Sequence, residues 1–250
     1  MALELLTLGA NGEKRISFPR MIGYYTSDFR TPDTEAAVDY LSLICLNGDL
    51  PEPVGPAQLK ICHDALRELV LTTREFTKLL GDVRADGTRE KGAIEKRMRL
   101  IKLSDQDMFL NTITEQAAVQ ADDDGRAADA VLLYHLAEDY DTVVQILNKN
   151  LSSHIALDDG IPFQGLHAPN AAPGSSMSLA SVDNPTQLAV NMLMVYKNNH
   201  IASKINARNR EACGVLLQIS EAKRQYEMGE WAACLSVCSS SPPPSLRPRN

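Results

Sequence analysis

Tryptophan occurs once in these 250 residues, and all aromatic residues together make up only 5%. Sandwiches and barrels draw on aromatic and β-branched residues, so this thin supply argues against an all-β chain. Long apolar runs are missing too. The longest, Ala189 to Tyr196, is already broken by Asn191, far short of the roughly 20 residues a membrane-crossing helix needs, and no membrane insertion is expected. Glycine (14) and proline (13) are too few for a fibrous chain. Met1 to Leu8 is apolar, but it carries Glu4 and lacks a basic leader, which makes it a poor secretory signal.

Positive charge is in deficit, with 25 Lys+Arg against 32 Asp+Glu and a net charge of −7. Phosphate contacts would therefore need a local basic stripe. The densest candidate, Arg84 to Lys102, holds Arg89, Lys91, Lys96, Arg97, Arg99 and Lys102, interrupted by Asp86, Glu90 and Glu95. It reads as a solvated helix face, so no direct contact with nucleic acid is expected. The five cysteines, Cys45, Cys62, Cys213, Cys234 and Cys238, are odd in number and follow no secretory signal. That fits a reducing compartment and buried thiols rather than a disulfide framework.

Helical periodicity is what the chain does have. Thr31-Pro32-Asp33-Thr34-Glu35 reads as a helix start with Thr31 as the cap, and Ala37, Tyr40, Leu41 and Ile44 follow at i, i+3, i+4, i+7. Asn47-Gly48 stops that helix. Cys62, Leu66, Leu69, Thr73, Phe76 and Leu80 lay one seam along a helix of about five turns, ended by Gly81 and Asp86-Gly87. Three further stripes follow: Met108, Ile113 and Ala117; Ala127, Ala130, Val131 and Tyr134; and Tyr140, Val143, Val144 and Leu147. Short turns join them, so they are expected to be antiparallel neighbours. Pro185 opens another helix through Leu188, Met192 and Val195. Cys213, Leu216 and Leu217 start the next, and Ala222 through Leu235 resembles the turn of a tetratricopeptide hairpin.

The chain is therefore expected to be all-α. Each hairpin has one apolar face that it cannot bury alone, and stacking such hairpins gives an α-solenoid. Composition divides it into a helical segment 1–154, a Pro/Gly/Ser-rich flexible loop 155–184, a second helical segment 185–238, and a disordered tail 239–250 that contains Pro242-Pro243-Pro244.

No motif calls for catalysis, and the chain is not expected to be an enzyme. His63, His135, His154, His167 and His200 are scattered without metal-ligand spacing. Asp122 to Asp124 before Gly125 lacks the alternating ligands and terminal Glu of a calcium loop. Gly87 to Gly92 has the letters of a phosphate loop in the wrong order. No catalytic, cofactor-binding or metal-ligating residue is assigned, and no cofactor is expected.

Particular residues resemble a known family. They are Phe18-Pro19-Arg20-Met21-Ile22-Gly23-Tyr24-Tyr25, Asp28-Phe29-Arg30, Ala36 to Leu41, Arg74-Glu75-Phe76 leading to Leu80-Gly81, Asp86-Gly87-Thr88-Arg89, Gly92-Ala93-Ile94, Ala127 to Leu151, and Glu221 to Trp231. Spread over roughly 16 to 238, this order and spacing is similar to the nucleoporin-interacting-component family, the linker-scaffold nucleoporins of the nuclear pore inner ring. The resemblance implies a bent α-solenoid that is a structural constituent of the nuclear pore complex at the nuclear envelope, serving protein and mRNA transport. It implies inner-ring nucleoporins as partners, including short linear motifs of linker nucleoporins. It places the chain in the central to C-terminal part of the solenoid, with the N-terminal channel-nucleoporin-binding region and the last helices outside it. A helical-repeat adaptor or coat-type scaffold of the cytosol shares this architecture, and fold alone does not separate the two.

Overall fold

The computed structural model describes residues 6–8, 14–83, 89–156, 184–197 and 199–240. Helices dominate them, and they gather into two compact units that part between Glu138 and Asp139.

The first unit opens with a small antiparallel hairpin of β1 (Leu6–Leu8) and β2 (Lys14–Ile16). Helices α1 (Phe18–Thr26) and α2 (Thr34–Ser42) follow. The cap of α2 is Asp33 rather than Thr31: its carboxylate accepts from the Ala36 N–H at 3.0 Å, satisfying a donor the helix cannot. Ala37, Val38, Leu41 and Ile44 are buried while Tyr40 is exposed, so Val38 takes the place on the inner face that the spacing gave to Tyr40. A 3₁₀ stretch, Leu43–Asp49, leads toward α3 (Val54–Thr73).

The seam from Cys62 to Leu80 is buried as expected, apart from the half-buried Thr73, but on two helices. Arg74 is left-handed (φ 57°), its N–H closes α3 onto the Val70 carbonyl, and the chain restarts as α4 (Phe76–Leu80). Gly81 then turns at φ +100° into β3 (Gly81–Val83), which pairs with β4 (Arg89–Lys91) so that Gly81 faces Lys91. A Cβ on Gly81 would lie 2.2 Å from the Glu90 carbonyl oxygen, and one on Gly92 would lie 2.3 Å from the Gly81 nitrogen. Only glycine lets these backbones meet. The basic stretch after Arg84 is therefore no solvated helix face. Arg89 to Lys91 is a strand, Ala93, Ile94 and Glu95 are buried, and Glu95–Arg97 is a single 3₁₀ turn. Asp86-Gly87 lies outside the described residues.

Helix α5 (Gln106–Phe109) runs through a π-helical stretch, Leu110–Glu115, into α6 (Gln116–Asp123). Its buried face is Phe109, Leu110, Ile113, Ala117, Ala118 and Ala121, whereas Met108 is exposed. Past the aspartates, the Gly125 and Arg126 N–H groups close the helix onto the carbonyls of Asp122 (2.9 Å) and Ala121 (2.8 Å). Helix α7 (Ala127–Leu136) is not the single stripe the spacing suggests, because every residue from Ala128 to Leu136 is buried. A helix apolar on all sides belongs inside a fold rather than on its surface.

The second unit is α8 (Tyr140–Ala156), α9 (Pro185–Val195), the single turn α10 (Asn199–Ala202), α11 (Ala207–Glu227) and α12 (Trp231–Ser240). The Tyr140, Val143, Val144, Leu147 stripe of α8 is buried, and α8 packs on α9 and α11. Asn184 caps α9 through the Thr186 N–H at 2.8 Å, just before the proline that opens the helix. Glu230 N–H reaches back to the Gln225 carbonyl (2.9 Å), and Gly229 (φ +78°) turns α11 into α12. This is the paired-helix turn read in the sequence. Of the 155–184 segment, Ile155 and Ala156 end α8 and Asn184 caps α9. The remainder lies outside the described residues, as do Met1 to Leu5 and 241–250 of the tail.

Candidate functional site

Of the histidines and cysteines that the structure describes, most are enclosed in the fold. His63 Nε2 lies 2.9 Å from the Ile101 carbonyl oxygen. His135 is enclosed in α7, where burial pulls its pKa down to about 4 and keeps the ring neutral. His154 is exposed in the last turn of α8. His167 and the side chain of His200 lie outside the described residues. Cys45, Cys62 and Cys213 are fully buried free thiols. A hydrogen bond with Cys45, then burial, raises the Cys62 thiol, and burial alone pushes Cys213 up to about 11, the reverse of what an attacking thiolate requires. Among the described residues no group of three His, Cys, Asp or Glu could hold a metal ion. Asp124, in the turn that superficially suggests calcium, pairs with Arg126 at 2.9 Å. No helix among the described residues is long and apolar enough to cross a membrane.

Sequence spacing gave no sign of the buried charges that fasten the helices. Arg89 Nε donates to Glu95 Oε2 at 3.1 Å, with the Glu95 side chain wholly enclosed. Its two terminal nitrogens donate to the Leu136 carbonyl (2.9 Å) and the Leu80 carbonyl (3.2 Å), the open ends of α7 and α4. One guanidinium thus ties four elements and sits where two helix dipoles point their negative ends. Arg74 Nη2 reaches the equally enclosed Asp129 at 2.7 Å, holding the end of α3 to the first turn of α7. In the second unit, Asp141 accepts from the Asn206 N–H (2.8 Å) and from Asn209 Nδ2 (3.0 Å), which fixes the start of α11 on α8. Those hydrogen bonds lower the Asp141 pKa against a burial effect that raises it.

Two surfaces stand out among the described residues. Helices α3 and α6 border an open groove of about 470 Å³, lined by Asp64, Arg67, Glu68, Gln116, Val119, Gln120 and Asp123. Arg67 is held there by Asp64 and by the Thr112 carbonyl at 2.8 Å, leaving the lining net acidic. Tyr25 of α1, Phe29 of the following turn and Tyr40 of α2 stack edge to face with centroids 5.1–5.6 Å apart, and Met21 and Tyr24 of α1 are exposed.

Stacked helices fastened by ion pairs to enclosed carboxylates define an all-helical protein of the solenoid class. The chain matches the Nup93/Nic96 family over residues 2–242, and it belongs to that family. It is 51% identical over 245 residues to nucleoporin NIC96 of Chaetomium thermophilum, covering 93% of this chain and 22% of the relative. To nucleoporin NIC96 of Saccharomyces cerevisiae it is 42% identical over 225 residues, or 90% of this chain and 25% of the relative. Nuclear pore complex protein Nup93 of Xenopus laevis is 33% identical over 141 residues. The crystal structure of Chaetomium thermophilum Nic96 SOL superposes with a TM-score of 0.77 at 48% identity, over 94% of this chain and 35% of that one. The all-α solenoid class read from the periodicity is thereby shown. The chain spans about a quarter of the length of the curated relatives it matches.

Proposed function

We propose that this chain is a structural constituent of the nuclear pore complex inner-ring scaffold, located at the nuclear envelope and serving nucleocytoplasmic transport through protein–protein contacts rather than catalysis. The observation that carries this reading is the 51% and 42% identity, over at least 90% of the chain, to proteins named as nucleoporins. The partners are other inner-ring nucleoporins. Among them, linker nucleoporins contribute short, partly disordered motifs whose apolar anchors enter grooves between helices, the common mode for such segments. In this reading 155–184 connects the helical groups 1–154 and 185–238. Pull-down of the tagged chain from nuclear-envelope extract tests the proposal. Recovery of inner-ring nucleoporins supports it, and recovery of vesicle-coat components alone assigns the chain to a coat or adaptor instead.

A further inference from the structure

Two thiols meet inside the first unit. Cys45 lies on the 3₁₀ stretch Leu43–Asp49 and Cys62 lies within α3, and both are fully buried. The 3₁₀ stretch packs along α3, and the Cys62 thiol donates to the Leu41 carbonyl at 3.4 Å. Leu41 sits one turn before Cys45. A helical side chain leans back over the turn that precedes it, so the Cys45 sulfur is brought to the same spot, and a hydrogen bond joins the two thiols. Cys213, equally buried, has burial alone acting on it.

The two sulfurs are not equivalent. The hydrogen bond from Cys62 lowers the Cys45 thiol, with Lys102 acting in the same direction and burial opposing it. The same hydrogen bond raises Cys62, and burial adds to it. A thiolate is the nucleophile in thiol chemistry, which gives Cys45 the attacking role and leaves Cys62 to resolve the product.

We infer that Cys45 and Cys62 form an oxidation site, a dithiol clasp that a peroxide closes into a disulfide and a thiol reductant reopens, fastening the stretch after α2 to α3. The Cys45 thiolate attacks one peroxide oxygen and the O–O bond breaks. Cys45 becomes a sulfenic acid, and the hydroxide released recovers the Cys45 proton as water. The Cys62 sulfur then attacks the Cys45 sulfur, the S–O bond breaks, and a second water leaves with the Cys62 proton. Two electrons pass from the sulfurs to the peroxide. The sulfurs have only to close from hydrogen-bond contact to a bond of about 2 Å. In a reducing compartment the pair rests as two thiols. This inference stands apart from the nuclear-pore reading, because it depends only on the core of the first unit.

Peptide mapping of the full 250-residue chain tests it. The folded chain is treated with a modest excess of hydrogen peroxide, then unfolded, and the remaining thiols are blocked with N-ethylmaleimide before digestion with trypsin. Cleavage after Arg30, Lys60 and Arg67 puts Cys45 on peptide 31–60 and Cys62 on peptide 61–67, with one cysteine in each. The inference expects these two peptides joined, lighter by two hydrogens than the pair, and parted again by dithiothreitol, while Cys213 still takes the label. The melting temperature of the oxidised chain rises by about 6–12 °C, because the cross-link restricts the unfolded chain, and dithiothreitol reverses the rise. Cys45→Ala and Cys62→Ala each abolish the rise, every variant being compared with its own untreated sample. Peptides 31–60 and 61–67 recovered apart and both labelled overturn the inference, as does either one joined to a different cysteine. A link between them that lowers the melting temperature overturns it equally.

Discussion

Replacing Arg89 with alanine attacks the first unit where one side chain carries the most. The Glu95 carboxylate that Arg89 neutralises is wholly enclosed, with a single ion-pair distance of 3.1 Å holding it. Removing one partner of a buried pair costs about 3–5 kcal/mol, because the remaining charge has neither water nor counter-ion. The carbonyls of Leu136 and Leu80 lose their donor as well, at about 1 kcal/mol each where water cannot replace it. The sum is a large part of the roughly 5–15 kcal/mol that stabilises a folded protein, and at about 2–4 °C per kcal/mol it lowers the melting temperature by about 10 °C or more. Differential scanning calorimetry at pH 7 reads it. The companion variants isolate the cause. Adding Glu95→Gln to Arg89→Ala removes the stranded charge and recovers roughly half the loss, and the apolar pair Arg89→Met with Glu95→Leu returns close to the parent. An Arg89→Ala protein within about 1 kcal/mol of the parent, or no recovery on adding Glu95→Gln, would refute the reasoning.

Other outcomes follow from single contacts. His135 titrates at about 4 in the fold against 6.5 when free. The unfolded chain therefore takes up a proton that the folded one refuses, and stability present above pH 6.5 is lost as pH falls toward 4, by about 3 kcal/mol. Urea unfolding against pH shows this slope, and His135→Gln flattens it. Gly92→Ala drives a Cβ to 2.3 Å from the Gly81 nitrogen and 2.4 Å from the Leu79 oxygen, forcing the β3–β4 backbone apart at a cost of at least about 2 kcal/mol; an unchanged unfolding midpoint would contradict the close approach. Asp33→Ala removes the α2 cap and lowers stability by about 1 kcal/mol, whereas Thr31→Ala leaves it unchanged.

Periodicity made the helices legible because burial repeats every 3.6 residues whatever the fold. The stripe from Tyr140 to Leu147 and, apart from half-buried Thr73, the seam from Cys62 to Leu80 lie inside. Breaks were harder to see. Arg74 leaves α3 in a left-handed conformation that glycine or asparagine would have advertised, and an arginine gives no local signal. The stretch after Arg84 misled for a related reason. Charge density along a sequence records composition, whereas the Arg89 side chain is drawn inward because its three hydrogen-bonding partners come from α4, α7 and the turn after β4. Such contacts join residues up to 47 positions apart. The encircled state of α7 has the same origin: its apolar residues fill every face, so a search for one stripe finds one and stops. The surfaces are the least legible part. The groove between α3 and α6 brings together residues more than forty positions apart, and none of them carries a motif.

Tagging the chain at its own locus and imaging it in living cells tests the scaffold assignment most directly. The account predicts a punctate rim around the nucleus that coincides with other inner-ring nucleoporins. Vesicular spots or a uniform cytosolic signal from an intact, folded product would contradict it.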